Sequence, residues 1–241
     1  MHDLLAVRGL SRSFGGFKAL SDVSLSVRSG ERLGLIGPNG SGKTTLINCM
    51  AGTLAPSQGA VLFDGQDISA LPPHRRTRLG IARSFQIPKP FSTMSVLDNL
   101  RIPIEYVVHR GGGHGAEIEA QAQALLAKFG LAAKAGVPAG QLSQVELRKL
   151  ELARAMAARP RLLISDEAMA GLSSSEVDEV LDILDRVSAE GVAVLMIEHI
   201  MRAMMRFSQR VVCLEAGRIV AEGAPQDIVR DPRVRKAYLG E

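Results

Sequence analysis

The residues Gly37-Pro38-Asn39-Gly40-Ser41-Gly42-Lys43-Thr44, followed by Thr45, constrain this chain more than any other stretch. They fit the pattern G-x-x-x-x-G-K-[ST], whose backbone N–H groups cradle phosphates. The apolar run Leu33-Gly34-Leu35-Ile36 before them reads as a buried strand. Residues 44–50 after them read as a helix that stops near Gly52. Strand, glycine loop and helix in that order is the context the pattern needs. The helix N-terminus adds partial positive charge where the loop gathers its N–H groups. Gly37, Gly40 and Gly42 let the backbone bend, with Pro38, Asn39 and Ser41 completing the wall of the cradle. Lys43 can reach the β- and γ-phosphates, the Thr44 hydroxyl can ligate Mg²⁺, and Thr45 extends the phosphate contacts.

With 241 residues the chain is long enough for one domain carrying a lobe, or for two small domains. At 46% hydrophobic and 22% charged it can bury a sizeable core. No apolar run approaches the ~18 residues of a membrane-spanning helix. The start, Met1-His2-Asp3-Leu4-Leu5, carries an acid and no cationic segment, so no signal peptide is expected. Cys49 and Cys213 both lie in apolar segments, which argues for a reducing compartment rather than a disulfide framework. The net charge is +4, from 29 basic and 25 acidic residues. The basic residues are scattered apart from His74-Arg75-Arg76-Thr77-Arg78, so they read as solvated surface and give no nucleic-acid footprint.

The first 37 residues read as strands: Leu4–Val7, a turn region at Ser13-Phe14-Gly15-Gly16, then the alternating stretch Leu20–Val27. Gly59–Phe63 is another strand, ending at an Asp64-Gly65 turn. Ile81–Gln86 is a strand with a polar end, and Pro88 and Pro90 force an extended loop after it. Short helical structure resumes at Ser95–Leu100. The glycine run 111–115 is a flexible interruption, and Glu117–Phe129 is a helix stopped by Gly130. Ser143-x-x-Glu146 and Ser173-x-x-Glu176 are capping boxes that start helices. Leu162–Glu167 and Val192–Ile197 are buried strands. Arg210–Leu214 and Arg218–Glu222 form a hairpin around Ala216-Gly217, and from Pro225 the chain reads as short helical turns. Strands alternating with helices imply an α/β fold with a parallel sheet and a largely helical insertion at 87–159.

Three strand ends and one turn carry chemistry. Asp166 at the end of a buried strand can hold Mg²⁺ through water, and Glu167 beside it can polarise a water toward a γ-phosphorus. His199 follows the next apolar run. As a lone histidine it is more often structural, but beside a nucleoside triphosphate it can donate a hydrogen bond to the γ-phosphate. Gln86 can meet Mg²⁺ or the attacking water through its amide. Phe14 can stack on a purine or simply pack on the sheet, and position alone leaves both readings open.

This ordered set, Phe14, 37–44, Gln86, Leu142-Ser143, 162–167 and His199, resembles the ATP-binding subunit of an ABC transporter over essentially the whole chain. Arg83-Ser84-Phe85-Gln86-Ile87-Pro88, Ala170-Gly171-Leu172, Glu198-His199-Ile200-Met201 and the ending Ala237-Tyr238-Leu239-Gly240-Glu241 resemble the branched-chain amino acid importer subclass. The ATPases of lipopolysaccharide export share a similar ending. The resemblance implies a P-loop NTPase (RecA-like) core with an antiparallel β layer, formed by residues 1–86 and 160–241, and a helical subdomain at 87–159. It implies ATP and Mg²⁺ as ligands, with Lys43, Gln86, Glu167 and His199 catalytic. It places Thr44, Gln86 and Asp166 on the metal, and Ser143 on nucleotide. A head-to-tail dimer, transmembrane permease subunits docking on 87–105 and, indirectly, a solute-binding protein would be the partners. The location would be peripheral, on the cytoplasmic face of the membrane.

The chain departs from that family where a signature Leu-Ser-Gly-Gly-Gln is expected. It reads Leu142-Ser143-Gln144-Val145-Glu146, with both glycines lost and an acid placed near an anionic ligand. Ala168 stands in place of a proline and Ser173 in place of an aspartate. The expectation is a heterodimer: this chain's own ATP site is competent, and a second ATPase subunit supplies the intact signature. Competing readings are an ATPase for lipopolysaccharide export or another small solute, a non-transport ABC ATPase on nucleic acid, and a weakly catalytic ATP-dependent binding module.

Overall fold

The computed structural model describes residues 3–239. Met1 and His2 of the chain start, and Gly240-Glu241 of the subclass-like ending, lie outside the described residues. Two sheets organise the chain. In the first, β1 (Asp3–Phe14) and β2 (Phe17–Arg28) form a hairpin across Gly15-Gly16. β1 also pairs with β4 (Gln58–Phe63), and β4 with the two-residue β5 (Gln66–Asp67), all antiparallel, in the order β2-β1-β4-β5. β1 is therefore much longer than the Leu4–Val7 strand expected from its apolar run. Irregular register at several points lets it continue through polar residues.

The second sheet is built on β3 (Arg32–Ile36), β6 (Ile81–Ser84), β7 (Leu162–Asp166), β8 (Ala193–Ile197), β9 (Arg210–Glu215) and β10 (Arg218–Gly223). Its order is β10-β9-β3-β8-β7-β6, parallel from β9 to β6, with β10 an antiparallel edge. Both faces are covered, so its strands read as nearly continuous apolar runs. Ala193, Leu195 and Ile197 of β8 join the core beneath the antiparallel sheet and α1 (Lys43–Ala51). Val194 and Met196 join the core under α4 (Gly115–Lys128), α5 (Gln144–Ala157), α6 (Ser174–Ala189) and α7 (Met201–Phe207). Each fully buried Val, Leu or Ile here contributes about 1.5–3 kcal/mol. α6 shows the rule at element level. Ser173 and Glu176 close its capping box, and Val177, Val180, Leu181, Leu184 and Val187 are all buried.

Between β6 and β7 the chain is helical: α3 (Val96–Pro103), a π-helical turn Ile104–Val108, then α4 and α5. α3 runs past the expected Leu100 to Pro103, which has no N–H to give the Asn99 carbonyl, and the ladder passes there into the wider turn. The chain ends in α8 (Pro225–Arg230) and α9 (Pro232–Leu239).

Within the basic cluster at 74–78, His74, Arg75 and Arg78 are exposed as expected, but Arg76 is not. The cluster lies on a helix, α2 (Pro73–Leu79), and Arg76 is only 1% exposed. Its guanidinium donates to the carbonyls of Cys49 and Met50, the last turn of α1, and to those of Ser69 and Leu71. Helix-end carbonyls lack intrahelical partners, and a cation there also meets the negative end of the helix dipole. Arg76 is thus a structural clip within the core layer. Both cysteines are buried and free.

The fold does one thing for function. Ile36, Ser84, Asp166 and Ile197 end parallel strands at nearly the same level, so the loops that follow them gather along one edge of the sheet. Ligands of open α/β sheets bind outside such carboxyl ends.

Candidate functional site

The loop from β3 to α1 has the shape of an anion cradle. Gly37, Gly40 and Gly42 all have positive φ. A Cβ on Gly37 would sit 2.1 Å from the Leu214 carbonyl oxygen, and one on Gly42 would sit 2.7 Å from that of Ala19. Only glycine fits the first position. The Lys43 ammonium folds back onto the loop, donating to the carbonyls of Gly37 at 2.6 Å and Pro38 at 3.0 Å. Burial pulls the Lys43 pKa below its ordinary value, and the nearby Glu167 carboxylate opposes that. Ser41 is buried and its hydroxyl oxygen has no hydrogen-bond partner, while Thr44 is exposed at the first turn of α1. A cradle closed to side chains, an orphaned hydroxyl and an ammonium resting on carbonyls together fit a polyphosphate.

A cavity of about 300 Å³ opens over this loop, lined by Asn39–Thr45, Phe14, Phe17, Ala19 and Glu167. Phe14 is 46% exposed and lies under the Arg12 guanidinium, 4.8 Å from ring centroid to Cζ. Its ring therefore stands at the cavity mouth and is not packed into the core. Phe17, which carried no signal in the sequence reading, stands beside it and is also exposed.

Glu167 follows β7 directly. Its φ of 47° is left-handed, strained for a non-glycine residue, and its N–H is tied to the Ile197 carbonyl. Both carboxylate oxygens are engaged: Gln86 donates to Oε2 at 2.5 Å, and His199 Nε2 lies 3.0 Å from Oε1. Three residues from three separate loops thus meet at one carboxylate. Gln86 sits two residues past the end of β6, not at its tip, and is exposed. Asp166 does not line the cavity. Its Oδ2 accepts from Arg83 at 2.6 Å. The same guanidinium donates to Asn48 Oδ1 on α1 at 2.7 Å.

Two further residues have roles that the sequence reading does not assign. Arg148 on α5 donates to the carbonyls of Gln86 and Ala170, joining that helix to the loops after β6 and β7. Glu198 is 2% exposed and accepts from the Met169 N–H at 2.9 Å. Burial pushes its pKa up to about 7, with the Glu167 charge adding to the rise and Arg148 opposing it.

Ser143 stands apart from the cavity. It caps α5, and the cap is self-contained. Glu146 Oε2 accepts from the Ser143 N–H at 2.8 Å, while Ser143 Oγ accepts from the Glu146 N–H. Lys134 lies 3.2 Å from the other Glu146 oxygen. The Ser143 N–H, first of all, holds the Glu146 carboxyl below the usual carboxylate range. Gln144 reaches toward the Ala170 carbonyl, at 3.4 Å.

Among the described residues no cluster of three or more His, Cys, Asp or Glu side chains could hold a metal.

Comparison with known proteins supplies the family. A model described as ABC transporter matches residues 20–170, and one described as branched-chain amino acid ATP-binding cassette transporter matches residues 218–241. The chain is 37% identical to the high-affinity branched-chain amino acid transport ATP-binding protein BraF of Pseudomonas aeruginosa, over 99% of this chain and 98% of that one. It is 35% identical to the lipopolysaccharide export system ATP-binding protein LptB of Acidithiobacillus ferridurans, over 100% and 98%. Among solved structures, a nucleotide-free ATP-binding cassette from an ABC transporter superposes with a TM-score of 0.90 at 31% identity, covering both chains fully.

Proposed function

Because the chain belongs to the ABC transporter ATPase family, we propose that it is the ATP-hydrolysing subunit energising an importer of branched-chain or chemically similar amino acids. As such a cassette it works with transmembrane subunits and a second cassette. The match of residues 218–241 to the branched-chain amino acid cassette model carries the solute class. The equally extensive likeness to LptB keeps lipopolysaccharide export as the second reading.

The chemistry is phosphoryl transfer to water. The loop 37–42, Lys43 and Thr45 bind and orient the phosphates, and Phe14 offers its exposed face to the base. A metal held by Thr44, Asp166 and Gln86 would neutralise charge on the β- and γ-phosphate oxygens. Glu167 accepts a proton from the attacking water as the new P–O bond forms and the bond to the bridging oxygen breaks, leaving ADP and phosphate. Both Glu167 oxygens are engaged in this structure. Release of the exposed Gln86 amide from Oε2 frees that oxygen for water. His199 keeps the carboxylate aimed and donates to the γ-phosphate.

Residues 1–86 and 160–241 act as the nucleotide-binding core and 87–159 as a helical lobe that meets the membrane subunits on the cytoplasmic face. Exposed Phe85, Ile87 and Phe91 support that docking role, with Lys89 over Phe85 and Arg154 over Phe91. The self-capped start of α5 supports a heterodimer. One N–H at that helix start, that of Ser143, is already bonded to Glu146, and Glu146 adds a negative charge where a facing γ-phosphate would lie.

The test is Glu167→Gln in the assembled transporter, reconstituted in vesicles with its solute-binding protein. ATP binding is expected to persist, while ATP turnover and leucine uptake both fall at least about a hundredfold. Unchanged turnover would remove Glu167 as the base. Wild-type turnover indifferent to leucine-loaded binding protein would favour the export reading.

A further inference from the structure

The guanidinium of Arg83 bridges the two elements that carry the candidate metal ligands. Arg83 is on β6, and its side chain is 12% exposed. One nitrogen donates to Asp166 Oδ2 at 2.6 Å, the other to Asn48 Oδ1 at 2.7 Å. Asn48 lies four residues after Thr44 on α1, so the two share a helix face. Arg83 therefore spans the gap between the Thr44 face of α1 and the end of β7. Its planar fork suits that span, since both donors are fixed relative to each other.

Among the described residues Asp166 has Arg83 as its hydrogen-bond partner, through Oδ2 alone. The carboxylate is thus oriented by one oxygen, with the second left for another ligand. A ligating carboxylate that is itself hydrogen-bonded is the usual construction of a metal site, and losing the supporting partner costs about 10–100-fold in metal affinity. A lone competing cation needs no second anchor, and here Asn48 supplies one.

We propose that Arg83 is a positioning residue of the metal site, setting the distance between Thr44 and Asp166 and turning Asp166 Oδ1 toward the nucleotide's metal. The proposal rests on the reading of Thr44 and Asp166 as metal ligands. It assigns Arg83 no contact with substrate.

The test uses the full chain, with Mn²⁺ as the probe. Mn²⁺ binding to the ATP-bound chain is followed by electron paramagnetic resonance, and ATP binding is measured separately in EDTA. Arg83→Met is expected to raise the Kd for Mn²⁺ about tenfold or more and leave ATP affinity in EDTA within about twofold. Arg83→Lys keeps the charge but not the fork, and recovers only part of the loss. Asn48→Leu, which removes the far anchor, weakens Mn²⁺ binding several-fold. Unchanged Mn²⁺ affinity in Arg83→Met would overturn the proposal, as would tighter Mn²⁺ binding, which would make Arg83 a competitor of the metal. Loss of ATP binding in EDTA would make its role structural, and full recovery by Lys would replace bridging with charge alone. A wild-type chain whose ATP affinity ignores Mn²⁺ would remove the metal reading itself, and the proposal with it.

Discussion

Glu198 is a buried acid one residue before His199 and hydrogen-bonded to the loop that follows Glu167. Burial chiefly raises its pKa, to about 7, from an ordinary value of 4.5. The folded chain then holds a proton that the unfolded chain has released between those two values. Stability from this group is complete below about pH 4.5 and is lost as pH rises through about 7. The difference amounts to about 3 kcal/mol at most. Glu198→Gln keeps an acceptor for the Met169 N–H and removes the charge. Thermal melts from pH 5 to 8 should show the variant gaining on the wild type as pH rises. A constant difference across that range would mean Glu198 stays charged throughout. Arg148 and Glu167, the charged groups facing it, are retained in the variant, so the comparison isolates Glu198.

The clip between α1 and α2 is the element-scale feature that most departs from its sequence appearance. Arg76 sits in a basic run, yet it satisfies four carbonyls. Arg76→Ala strips those acceptors of their donor in a site closed to water, at a cost of about 3 kcal/mol. For a chain of this size that lowers Tm by about 6–12 °C, and an unchanged Tm would mean α2 is docked by other contacts. The periodic elements were legible because their signals are local. Capping boxes at Ser143 and Ser173, the i, i+3, i+4 face of α6, and apolar runs at β3, β7 and β8 each need only neighbouring residues. The same holds for the glycine loop. Arg76, Arg83, Arg148 and Glu198 were not legible, because their roles depend on partners supplied by other elements. Arg83 meets Asn48 35 residues away and Asp166 83 residues away, and no spacing rule in sequence announces either contact. Motif order did point at Gln86, Glu167 and His199. Their meeting at one carboxylate follows from parallel strands ending at nearly the same level along one edge.

At the scale of the molecule the chain presents two unequal surfaces. One is the cavity over the glycine loop, with Glu167 at its wall. The other is the start of α5, where Glu146 occupies the N–H of Ser143 and Gln144 leans on Ala170. Among the described residues no helix is long and apolar enough to cross a membrane. On the proposed function this chain supplies a competent nucleotide half-site and a poor facing half. The most direct measurement compares steady-state ATP hydrolysis by the purified chain alone with hydrolysis by the transporter assembled with its second ATPase subunit. Withholding an aligned N–H donor from the transferring phosphate costs about a hundredfold or more. The chain alone should therefore turn over at least about a hundredfold more slowly than the assembly. Equal rates would contradict the account.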